Sequence, residues 1–231
     1  MGSLCTSPAF VVRHPWLGTV PDAPVPEASA PFALDGAAVL MKTVDDREEE
    51  RMDDADLRLW CERARELGAD DAAPIAPGDV VTAQWVRMKC LYGCDETGVR
   101  RTCPPGGAPG VEDTRRVLDA FRSALLLRVG PIVGREQSGP ESLRLNETAL
   151  ALERELFLAG SHKALMLGAG PCERCDNCIS GEECPTPEKA RPSMEGCGID
   201  VFSTVRAAGW TIDTVKDHST PYSFFALVLV D

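Results

Sequence analysis

The chain has 231 residues, 44% of them hydrophobic, enough to bury a core in one or two domains without covalent staples. Its 24 Lys and Arg stand against 36 Asp and Glu, a formal charge of −12, which argues against nucleic acid or anionic lipid as the main partner, since both bind through basic surfaces. The longest apolar tract, residues 224–230, is strand-sized, and residues 1–13 lack the charged start and apolar stretch of a signal peptide, so a cytoplasmic protein with no membrane partner is expected.

Residues 1–33 are rich in Pro, Ala and Ser and read as an extended arm, with residues 34–231 as a single domain. The acidic side chains crowded between Asp45 and Asp56 read as a solvated stretch that ends at a helix entrance. A helix is predicted from Asp53 or Asp54 to Gly68, with Leu57, Trp60, Cys61, Ala64 and Leu67 on one stripe. An extended segment follows at 79–86, then a helix at 112–123 and a buried strand at 124–129. The clearest helix runs over 141–159, ended by Gly160. Beyond it come a strand at 164–167, a helix at 199–208 and strands at 211–215 and 224–230. The alternation predicts an α/β or α+β domain: a mixed sheet of about four or five strands, flanking helices, and two cysteine-rich cluster-binding loops at strand ends.

Ten cysteines in a reducing compartment point to metal rather than disulfides. Cys172, Cys175, Cys178 and Cys184-Pro185 follow the bacterial ferredoxin run C-x2-C-x2-C-x3-C-P with the last spacing stretched, a ferredoxin-like loop over 172–197. Such a tight triple lets one loop present thiolates to three irons, whereas structural zinc favours two separated pairs. An earlier group, Cys90, Cys94 and Cys103-Pro104-Pro105, has turn residues suited to wrapping an inorganic core. With Cys197 the total is eight, the ligand set of two [4Fe–4S] clusters. The ferredoxin crossing rule groups Cys184 with Cys90, Cys94 and Cys103, and Cys197 with the other three. The simpler partition keeps Cys184 local and gives Cys197 to the first group. If Cys197 binds nothing, one iron stays open as a Lewis acid. Cys61, on the apolar helix stripe, reads as a core residue, and Cys5 lies in the arm.

Arg87-Met88-Lys89-Cys90, Tyr92-Gly93-Cys94, Cys103-Pro104-Pro105, Gly168-Ala169-Gly170-Pro171-Cys172 and Arg191-Pro192-Ser193-Met194-Glu195, with Gly198-Ile199-Asp200-Val201, give the chain a specific likeness. It resembles an uncharacterised family of predicted metal-binding proteins, a domain of unknown function from anaerobic bacteria and archaea, over about residues 53 to 231. The resemblance implies an anaerobic iron–sulfur-type metalloprotein and supplies no reaction.

Other residues bear on the chemistry. Gly168-Ala169-Gly170 lacks a full phosphate-loop pattern and reads as a nest of N–H groups turned toward cluster sulfides. Trp85 and Tyr92 read as apolar cover. Glu195 and Arg191 are the candidate catalytic pair, as proton donor and anion clamp, against a plain salt bridge or cap that pins the loop. The leading expectation is low-potential electron transfer with a redox partner protein or small molecule. The alternatives are an enzyme whose open iron acts on a small, sulfur-containing substrate, a zinc-stabilised binding module, and a metallochaperone or cluster carrier.

Overall fold

In the computed structural model β2 (Ala124–Ile132) is buried along almost its whole length, because both faces of the sheet are covered. That explains why its residues form an unbroken apolar run rather than an alternation. The structure describes residues 52–175, 178 and 183–231, within one compact unit, Glu49–Asp231. The predicted arm, Cys5 and most of the acidic stretch lie outside the described residues.

The first helix, α1 (Asp54–Leu67), starts where Asp53 accepts the Asp56 amide at 2.7 Å, and Gly68 closes it at φ +127°. Cys61 is buried on its inner face, as expected of a core residue. There follow β1 (Asp71–Ile75), a 3-10 turn (Pro77–Asp79), α2 (Gln84–Gly93) and α3 (Val111–Asp119). After β2 come α4 (Ser138–Leu158), β3 (Leu165–Leu167), α5 (Val201–Ala207) and β4 (Tyr222–Leu229).

The sheet has four strands in the order β1-β2-β4-β3, and every pairing is antiparallel. The predicted combination of helices with about four strands holds, with antiparallel pairing in place of the mixed pairing expected. Leu126 of β2 sits opposite Leu227 of β4. These two, with Phe225 and Leu229, face a core completed by Leu118 of α3, Val205 of α5 and the segment carrying Met194, Cys197 and Ile199. Strand alternation turns Leu125, Leu127 and Val228 to the opposite face, where α1 and α4 pack. The 194–199 segment is thus an internal wall of the domain.

Three expectations need correction. Residues 79–86 form no strand: beyond an isolated bridge from Thr82 to Ile199, the chain turns into α2, so Cys90 is carried on a helix rather than a loop. Residues 211–215 make no ladder either. Trp210 and Ile212 pack on the core from outside the sheet, which satisfies the apolar pattern without strand pairing. Strand β1 went unforeseen because Asp-Ala-Ala-Pro-Ile is poor in β-branched residues, and Pro74 is tolerated only because this strand is an edge.

Candidate metal centre

Every described cysteine is a free thiol. In the first group Cys90 rides on α2, Cys94 caps that helix, and Cys103 follows after the turns at 94–103. Thr97 donates to the Cys90 carbonyl at 2.6 Å, and the Cys103 amide donates to the Arg100 carbonyl at 3.0 Å, drawing the loop back on itself. Gly107 has a steric reason: a Cβ there would lie 1.5 Å from the Arg101 carbonyl oxygen. Burial pushes the Cys103 thiol up to about 11, with the negative charges of Cys94 and Cys90 adding to it.

The second group shows the same coupling. Burial raises the Cys172 thiol, and Cys178 and Cys175 are among the charges it feels. The two groups then meet. The Arg101 amide donates to Cys178 Sγ at 3.4 Å, and Arg100 Nη1 donates to the Cys175 carbonyl at 2.8 Å while its Nε holds Glu96. Nothing in the cysteine spacing marked Arg100 and Arg101 as the link between loops some 75 residues apart in sequence.

The structure sets one predicted ligand, Cys197, into the core. Cys197 is fully buried in the apolar core, its thiol pushed up to about 12 by burial, and the charges it feels are those of Arg87 and Glu195 rather than of another cysteine. Its carbonyl accepts from Thr114 Oγ1 at 2.7 Å. Cys184 is partly exposed, next to residues outside the described set.

Glu195 lies between the two groups. Cys90 Sγ approaches its carbonyl at 3.8 Å, and Ser193 and the Gly170 amide, in front of Cys172, lie beside its carboxylate. Burial nonetheless raises this carboxyl, and Oε2 has no hydrogen-bond partner among the described residues. Arg191, by contrast, is fully engaged: its guanidinium grips the buried Glu153, whose Oε2 also accepts the Met166 amide at 2.7 Å. The anion-clamp expectation gives way here to the structural tie.

The predicted nest is taken up as well. Gly168 donates to the Pro192 carbonyl and Ala169 to Asn146 Oδ1, so these two amides point at protein oxygens. Tyr92 is 80% exposed and shields nothing, and Trp85 is half-exposed beneath the Lys89 ammonium.

Among the described residues no three His, Cys, Asp or Glu side chains converge as a single ion requires. A tetrahedral zinc holds its ligands about 2.0–2.3 Å from the metal, so its donors crowd one point. Thiolates on a multi-iron core each bind a separate iron and stand further apart.

A family model described as a predicted metal-binding protein (DUF2284) matches residues 73–230. The chain belongs to that family. The DUF2284 span contains both cysteine groups and Glu195, and begins after α1, later than the residue 53 suggested by sequence motifs. No curated protein and no solved structure matches the chain. Among the described residues no helix is long and apolar enough to cross a membrane.

Proposed function

We propose that this DUF2284 protein is an iron–sulfur protein that holds two [4Fe–4S] clusters and transfers electrons at low potential. One cluster would take Cys90, Cys94 and Cys103, the other Cys172, Cys175 and Cys178, with Cys184 the remaining partly exposed thiol for a fourth position. The observation that carries the reading is the contact between the two cysteine loops, made by the Arg101 amide on Cys178 Sγ. Clusters of this kind, when bound, supply one-electron chemistry whose potential depends on hydrogen bonds to sulfur and on exposure.

The chain's own residues fit that use. Six free thiols lie on two loops that hydrogen bonds tie together. An N–H donor already faces one of the sulfurs. Arg100 locks the loops together, which keeps the distance between the triplets fixed. The net charge of −12 suits a basic redox partner.

A second reading, an enzyme with an open iron site, draws on two further facts. Cys197 is withdrawn into the core, and a cavity of about 580 Å³ has Cys90 and Cys94 in its wall.

Anaerobic purification of the full chain tests the first reading. It should yield a brown protein with broad absorption at about 400 nm that bleaches with dithionite, and about eight irons and eight sulfides per chain. A colourless protein with stoichiometric zinc would overturn it.

A further inference from the structure

The cavity beside the first triplet is walled by α2, α5, the 211–215 segment and the start of β4. Trp85, Phe202, Ile212 and Phe224 make this wall largely aromatic and apolar, with Cys90 and Cys94 also in it. Its volume is in the range of small-molecule sites. A second cavity, of about 420 Å³, adjoins it and shares Val215 and Tyr222. Tyr222 lines both cavities, held by its hydroxyl, which donates to the Gly134 carbonyl at 3.1 Å, and by its ring, which meets Phe224 edge-on at 5.6 Å.

The second cavity has a different chemistry. Arg135, Lys216 and His218 line it, beside Ser138 at the start of α4. Neither Arg135 nor Lys216 has an ion-pair partner among the described residues. Asp217, the acidic member, has its Oδ1 held by the Ser219 amide and hydroxyl and by Thr220 Oγ1. The long helix α4 begins without a side-chain cap from Gln137, so its positive end adds to the basic side chains.

We infer that the two cavities form one binding trough for an elongated ligand: a flat heteroaromatic ring beside Cys90 and Cys94, carrying a phosphate-like anion that reaches Arg135 and Lys216. The aromatic wall accepts the face of the ring. The position of the ring next to a cluster rests on the iron–sulfur reading, but the binding does not.

The test uses the anaerobically prepared full chain and two probes that share one ring system, FMN and riboflavin, titrated by quenching of flavin fluorescence. FMN should bind saturably and about tenfold or more tighter than riboflavin, as expected when a phosphate gains charge-assisted hydrogen bonds. Arg135→Ala combined with Lys216→Ala should bring FMN down to the riboflavin level, and Trp85→Ala should weaken both probes. All three positions are exposed, so folding is preserved. No saturation with either flavin, equal affinity for both, or an unaltered preference in the double variant would overturn the inference. Iron and sulfide measured on the same samples report on the clusters independently, so a colourless protein that still binds FMN would sink only the iron–sulfur reading.

Discussion

The Arg101 amide donates to Cys178 Sγ across 3.4 Å, joining two cysteine loops that are 77 residues apart. Neither triplet alone completes a four-thiolate set, yet the fold brings their loops into contact.

If the second triplet holds a cluster, Cys178→Ala should lower iron from about eight to about four per chain, because an x2–x2 loop cannot grip its core with two thiolates. Iron and sulfide assays with EPR of the reduced protein check this. Unchanged iron in the variant would remove Cys178 from the ligand set.

Cys197→Ala behaves differently. A fully buried thiol among Met194, Ile199 and Val205 acts as a small apolar residue. The variant should keep its iron and the same EPR signal but lose about 1 kcal/mol of stability, seen as a lower urea midpoint at unchanged slope. Loss of iron would make Cys197 a ligand after all.

Removing Glu153 strands Arg191, whose guanidinium is largely buried, and frees the Met166 amide. Glu153→Ala should cost about 3–5 kcal/mol, far more than an exposed pair such as Arg116 with Asp113. Urea unfolding of Glu153→Ala and of Asp113→Ala separates the two cases.

Acid should loosen the packing of α4 in a defined window. The Arg144 guanidinium holds the Asp70 carboxyl below its ordinary range, and Arg63 does the same for Glu155. Carboxylates depressed in the folded state stabilise it above the unfolded value of about 4, and that contribution is lost as pH falls through the folded values. Both pairs are partly exposed, so the Tm should fall only modestly below about pH 4, and high salt should reduce the effect. A Tm independent of pH across that window would contradict the assignment.

Much of the fold can be read locally. Asp53 as a cap, Gly68 as a terminator and the apolar spacing of α4 act through neighbours three or four residues away, so α1 and α4 were legible from the residues alone. The segments at 79–86 and 211–215 were misread because their apolar residues serve contacts from elsewhere in the chain. Residues 80–83 lie along the 198–200 segment, and Trp210 and Ile212 lie on the core.

Cysteine identity and spacing were enough by themselves to nominate thiolate chemistry, since the x2 repeats of 172–178 act within one loop. Only the tertiary structure decided which loops are neighbours. It set Arg100 and Arg101 against the second loop, drew Cys197 into the core, and engaged Arg191 with Glu153. Burial and long-range hydrogen bonds depend on how the sheet and helices close over one another, and spacing along a chain carries no record of that.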